Sequence, residues 1–216
     1  MTIEVDVFWS FRSPYSYLAT PRFVSLQREY DLQFNIRPVY PLAVRVADFF
    51  KNTNPKFAFH VVFDSKRVAD KLGMDFAWPS PDPIAQNMVT REVEADQPYI
   101  TRLTQLGQAA SDAGKGVPFI FEVSSLIFGG TRNWHEGDHL AKASERAGLD
   151  LAELDAAIGA DGDGYEAKIE TNHAALDKSA HWGVPTMVWN DETFFGQDRI
   201  DTLIWRLQQN GLMERS

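Results

Sequence analysis

The chain has 216 residues, 44% of them hydrophobic with 15 Phe and 6 Trp, a formal charge of −9 and no cysteine. That length suits one large domain, or a domain with a sizeable insertion, and the apolar content is ample for a core. The acidic balance without a basic stripe argues against nucleic acid and anionic membranes, and the missing cysteines exclude disulfides, thiol catalysis and thiolate metal sites.

No apolar run approaches the roughly 20 residues that span a bilayer. The opening "MTIEVDVFW" lacks the charged and apolar regions of a secretory leader. The expectation is a soluble, cytoplasmic protein whose partner is a small molecule, with no nucleic acid and no membrane.

"IEVDVFW" (3–9) alternates apolar and acidic residues before turning wholly apolar, which predicts a strand. Ser13 as N-cap with Pro14 at the first helical position, followed by Tyr17, Leu18, Phe23, Val24 and Leu26, predicts a helix over 14–29. "LQFNIRPVY" (32–40) alternates again, as a second strand. Strand, helix, strand within forty residues suggests a βαβ unit with a right-handed crossover. From Leu42 to about Leu126 the period is mostly helical, punctuated by "NTNP" (52–55), "WPSPDP" (78–83) and "AGKGVP" (113–118). "WPSPDP" reads as a surface loop. "HLAKASERAG" (139–148), "LAELDAAIG" (151–159) and "YEAKIETNHAALDKSAHWG" (165–183) read as helices stopped at Gly. "TMVW", a tight turn at "NDE", "TFF" and a last helix from Asp198 complete the chain. The order βαβ, helical insertion, helix, ββα is that of an α/β thioredoxin-like domain (1–41 and 127–216) with an inserted helical domain (42–126).

Three places can carry chemistry. Ser13 lies between a strand end and a helix start, where free N–H groups and the positive end of the helix dipole converge. A hydroxyl there donates to a nearby anion, and lowers the pKa of a thiolate; it equally reads as a plain helix cap. In "GVPT" (183–186), a cis Val184–Pro185 bond would turn the Val184 backbone outward to pair with an extended peptide-like ligand, whereas a trans bond would be an ordinary strand start. In "GQDR" (196–199), the N–H groups of Gln197 and Asp198 suit a ligand carboxylate and the Asp198 side chain suits an ammonium; a simple Asp cap fits as well. In a thioredoxin-like fold the three lie side by side. Together they offer a hydroxyl for a thiolate, a peptide-like edge and a place for an α-amino acid group, which are the functional groups of glutathione.

The pattern "SPYSYLA", "RPV", "NTNP", "AGLD", "GVPT" and "FFGQDR" resembles the bacterial 2-hydroxychromene-2-carboxylate isomerases and the kappa-class glutathione transferases, both within the DsbA-like thioredoxin superfamily. The resemblance covers nearly the whole chain. It implies that glutathione is the cofactor and supplies the sulfur that "SPYS" lacks. Ser13 would hold and activate that sulfur, Val184 before Pro185 would pair with the cysteinyl backbone, and Gln197 and Asp198 would hold the γ-glutamyl end. Asn54 would be the pocket asparagine, with Asn52 as its alternative. It further implies a homodimer, and an isomerase acting on an unsaturated, aromatic-derived acid; a kappa-like transferase and a non-catalytic binder are the alternatives. "RPVYPLAVRVADFF" lacks the small Gly-rich segment of those families and carries Arg45, Asp48 and paired Phe49-Phe50 instead.

Other signals compete. "WHEGDH" contains H-E-x-x-H at His135, Glu136 and His139, a zinc pattern only if both His share a helix face; Gly137 argues against that, and no metal is expected. "DGDG" (161–164) lacks the bidentate Glu of a calcium loop and reads as a helix-linking turn. Lys66 and Arg67 read as a solvated helix face, or as steering for an anionic substrate. Arg12 reads as facing solvent, or as attracting a substrate carboxylate. Trp9, Phe11, Trp78, Trp134, Trp182 and Trp205 read as core.

Overall fold

The computed structural model of the protein describes residues 2–87, 90 and 92–215. Strand β1 (Ile3–Trp9) runs parallel to β2 (Leu32–Pro38), with Ile3 opposite Leu32 and Trp9 opposite Pro38, and helix α1 (Pro14–Glu29) connects them. Strand β3 (Thr186–Trp189) pairs antiparallel with β1, and β4 (Glu192–Phe195) antiparallel with β3, giving the order β2-β1-β3-β4. The turn between β3 and β4 is two residues long, and both Asn190 (φ 47°) and Asp191 (φ 63°) are left-handed. That is the hairpin turn whose twist matches the strands, and Asn and Asp tolerate it.

The alternation of β1 has a packing consequence. Val5, Val7 and Trp9 enter the main core, whereas Phe8 meets Val39 and Leu176 in a separate cluster. Between β2 and β3 come α2 (Leu42–Arg45), α3 (Phe49–Asn52), α4 (Pro55–Leu72), α5 (Pro98–Asp112), α6 (Gly116–Phe128), α7 (His139–Arg146), α8 (Leu151–Ala160) and α9 (Gly162–Lys178). Helix α6 packs on α1 and α5 packs on β2, so Phe119 and Ile120 share one core with Trp9 and Phe34. Helix α6 crosses residues 126 and 127 without a break. A 3-10 turn at Gln197–Arg199 leads into α10 (Ile200–Gln208). This is the mixed four-stranded α/β arrangement of a thioredoxin-like fold. Among the described residues, no helix is long and apolar enough to cross a membrane.

Several expectations are corrected. Residues 73–97 form no helix where they are described, so the helical period of the middle segment is broken by a long loop. Within it, "WPSPDP" is not a plain surface loop. The Trp134 indole donates to the Pro81 carbonyl at 2.8 Å and Asn133 N donates to Ser80 O at 2.8 Å, and Ile84, just after the stretch, is 2% exposed. Partners some fifty residues away hold it, and no local pattern announces them. Helix α9 ends at Lys178 because Ser179 turns extended, well before Gly183. Trp182 and Trp205 are 54% and 53% exposed, not core; Trp205 falls outside the inward stripe of Ile200, Leu203, Ile204 and Leu207. The Phe50 side chain lies outside the described part. His135 precedes α7, so His135 and His139 do not share a helix, and among the described residues no cluster of three metal-ligating side chains forms. Asp161 caps α9 through Gly164 N at 3.2 Å.

Candidate active site

Helix α1 begins where β1 runs out, and Ser13 is its N-cap. The Ser13 backbone is extended (φ −91°, ψ 115°) and its Oγ accepts the Ser16 N–H at 3.2 Å, satisfying one of the orphan donors of the first turn. The same hydroxyl donates to the carbonyl of Val184 at 3.2 Å, 171 residues away. The cap and the ligand-facing hydroxyl are therefore one atom. The Val184–Pro185 bond is cis. The carbonyl of Pro185 accepts Gly196 N–H at 2.9 Å, which ties the loop before β3 to the turn after β4. Two hydrogen bonds, on either side of the Val184–Pro185 peptide bond, thus join Ser13 to the turn that begins at Gly196.

Two glycines make this approach possible. A Cβ on Gly183 would lie 2.7 Å from the Phe195 ring. Gly196 has φ +101°, and a Cβ there would lie 2.5 Å from Asp198 Oδ1. Gln197 and Asp198 sit on the 3-10 turn, and the Asp198 carboxylate, largely exposed, pairs with Arg199 at 3.1 Å. Its field reaches α1: the Tyr15 phenol is pushed well above its ordinary pKa, first by burial, then by Asp64, with a smaller contribution from Asp198.

Asn54 stands apart. It caps α4 through Lys56 N at 3.0 Å. It is ten residues before Asp64, which takes the Tyr15 hydroxyl at 2.8 Å. Ten helical residues span about 15 Å, so Asn54 at the start of α4 and Asp64 at its middle lie about that far apart along the helix. Arg12 does not face solvent: its side chain is only 18% exposed. Its Nε and Nη2 donate to the two oxygens of Asp82 at 3.2 and 3.0 Å, and its guanidinium lies 5.3 Å from the Trp78 ring centroid. It clamps the 78–84 loop beside Ser13. Arg45 is likewise engaged: Nε donates to Tyr40 O at 2.8 Å and Nη2 to Trp182 O at 3.0 Å. Lys66 pairs with Asp70, and Arg67 approaches Asp64 at 4.0 Å, as on a solvated helix face.

Sequence reasoning missed Tyr15–Asp64, Arg12–Asp82 and the ring stack at His181. The partners are 49 and 70 residues apart in the first two cases. Only "HWG" next to "VPT" carried a local hint of the third.

The electrostatics of the site are simple. The first N–H groups of α1 and the helix dipole favour an anion at Ser13, while the hydroxyl offers one proton, which is given to Val184 O.

Known proteins bear on these features. A 2-hydroxychromene-2-carboxylate isomerase of Pseudomonas sp. (strain C18) is 26% identical over 206 residues, covering 93% of this chain and 88% of that protein. The protein of the same name from Pseudomonas putida is 25% identical over 209 residues, with 91% and 90% covered. A solved 2-hydroxychromene-2-carboxylate isomerase superposes with a TM-score of 0.68 at 23% identity, over 96% of this chain and 95% of that one, which shows the fold is shared. Residues 4–208 match the family described as the DSBA-like thioredoxin domain, and the chain belongs to that family.

Proposed function

We propose that the protein is a glutathione-dependent isomerase of 2-hydroxychromene-2-carboxylate or a related unsaturated, aromatic-derived acid. The observation that carries the reading is the Ser13 hydroxyl, placed at the N-terminus of α1 and hydrogen-bonded to Val184 O at 3.2 Å. The relatives named as isomerases over nearly the full chain support the choice of reaction. The donor set fits glutathione: a hydroxyl for sulfur, a backbone edge at Val184, and N–H groups with a carboxylate at Gln197 and Asp198. When bound, glutathione supplies a thiol for reversible addition to an unsaturated carbon.

The chain's own part is to bind and to polarise. With glutathione bound, Val184 O would accept an N–H from its backbone, and Ser13 Oγ would turn its proton from that carbonyl to the sulfur. The α1 terminus would favour the thiolate over the thiol. Asp198 would hold the ammonium end, its carboxylate lying where a Cβ on Gly196 would intrude. The Arg12–Asp82 clamp keeps the 78–84 loop beside Ser13.

The test is calorimetric titration with glutathione plus turnover of 2-hydroxychromene-2-carboxylate. Asp198→Ala should weaken glutathione binding about tenfold, as the loss of one charged hydrogen bond does. Ser13→Ala should bind within a few-fold of wild type and lose roughly a hundredfold or more in kcat. Absence of glutathione binding by the wild type at millimolar concentration removes the reading.

A further inference from the structure

His181 and Trp182, on the loop that leads into Val184, stack with Phe195 at the end of β4. The His181 ring lies 3.5 Å from Phe195, centroid to centroid, at 14°, and 5.0 Å from Trp182 at 24°. The imidazole is the middle layer. Its Nδ1 accepts Gly183 N–H at 2.9 Å, which leaves the proton on Nε2 in the neutral ring. Burial lowers its pKa below the ordinary histidine value, so the stack carries no charge at neutral pH. The backbone beneath is held as firmly. Ser179 Oγ donates to His181 O at 2.9 Å, and Arg45 Nη2 donates to Trp182 O at 3.0 Å. Arg45 is itself anchored at Tyr40 O, its side chain only 12% exposed.

Against that rigidity stands exposure at both ends: 54% for Trp182 and 41% for Phe195. The position matters too. Trp182 is two residues from Val184, whose carbonyl takes the Ser13 hydroxyl, and Phe195 is followed directly by Gly196, Gln197 and Asp198. The stack therefore joins the two loops of the candidate site and continues it outward as an aromatic surface. A rigid, uncharged, open indole next to a reactive centre is suited to a flat aromatic partner, because offset stacking adds to the area that the two rings bury.

We propose that Trp182 is a specificity-determining residue: its exposed indole face receives the planar ring of the acid substrate, with His181 and Phe195 backing it and Arg45 fixing its backbone. This rests on the isomerase reading given above. The experiment compares wild type with Trp182→Phe, Trp182→Leu and Trp182→Ala. Turnover of 2-hydroxychromene-2-carboxylate is measured at saturating glutathione, with glutathione affinity measured separately by calorimetry. Trp182→Leu keeps apolar bulk and loses the ring, and Trp182→Phe keeps a ring. Stacking predicts a KM raised roughly tenfold in the Leu and Ala variants and near wild type in Phe, with kcat and glutathione affinity within about twofold throughout. An unchanged KM in the Leu and Ala variants overturns the proposal while leaving the isomerase reading intact. So does a loss confined to kcat or to glutathione affinity, which would mark a merely structural residue. If the wild type turns nothing over, the isomerase reading fails separately, and equilibrium dialysis with 2-naphthoate decides the platform. Binding kept in Trp182→Phe and lost in Trp182→Leu supports it; no binding by the wild type, or equal binding by all variants, overturns it.

Discussion

Residues 183–198 and residues 42–97 both reach the N-terminal end of α1, and they are built in opposite ways. The first segment is short and its geometry belongs to the backbone. Val184 O meets Ser13, Pro185 O meets Gly196, and Gly183 and Gly196 are where side chains have no room. The second segment is long, and side chains hold it at scattered points. Asp82 clamps Arg12, Asp64 takes Tyr15, and Ile84 plugs into the core, while Phe59 and Phe63 of α4 stay 65% and 60% exposed. Backbone-built sites tolerate sequence drift outside a few glycines and prolines. Side-chain-built walls can change with every residue, so the 183–198 side is expected to be the constant part and the 42–97 side the variable one.

This contrast can be broken experimentally, starting with the largest effect. Ile84→Ala should cost about 2–5 kcal/mol in urea unfolding, because Ile84 is buried in the common core although it lies in a loop. A cost under about 0.5 kcal/mol would mean that the 73–97 segment folds onto a body already complete without it. Gly196→Ala should cost about 1–3 kcal/mol from the left-handed backbone alone, and should also displace the Asp198 carboxylate it touches. If Gly196→Ala leaves stability and glutathione binding untouched, the backbone account of the first segment is wrong. Asp82→Asn should cost about 1–2 kcal/mol, since it removes the charge partner of a largely covered guanidinium. Phe59→Ser should change stability by no more than about 0.5 kcal/mol and improve solubility, as expected for an exposed apolar residue.

A smaller effect concerns pH. His173 accepts Tyr40 N–H at 3.0 Å through Nε2, and burial pushes its pKa down, opposed by Glu170 and reinforced by Arg45. The unfolded chain, with its histidine near pH 6.5, then binds the proton more readily than the folded one. The associated stability is present above about pH 6.5 and is lost as the pH falls towards the depressed folded value. The urea midpoint should therefore drop from pH 7.5 to 5. His173→Gln, whose amide oxygen can still accept from Tyr40 N, should show a shallower drop; identical curves would exclude His173 as the cause.

The site was legible to the degree that it is local. Ser13 before Pro14 announces a cap, "GVPT" an extended entry to a strand, "NDE" a tight hairpin and "GQDR" a turn into a helix, because each depends on φ/ψ preferences of adjacent residues. The boundaries of β1 and α1 follow from the same local rules, and the strand–helix order carries the fold class. Asn54 shows where that logic stops. It reads as a pocket residue by motif, and its observed contact, the cap at Lys56 N, is local and does not say what the rest of the side chain meets.

Sequence alone therefore determined the order of elements, the α/β class, the absence of any thiol of the chain's own and the serine at the start of α1. Tertiary structure decided the rest. It gave the Ser13 proton to Val184, drew Arg12 into Asp82, brought Arg45 under Trp182 and left the Trp182 indole open. Local preferences act over a few residues of backbone and can be read in order. Contacts that side chains make 49 to 171 residues away depend on where whole elements pack, and no short pattern encodes that.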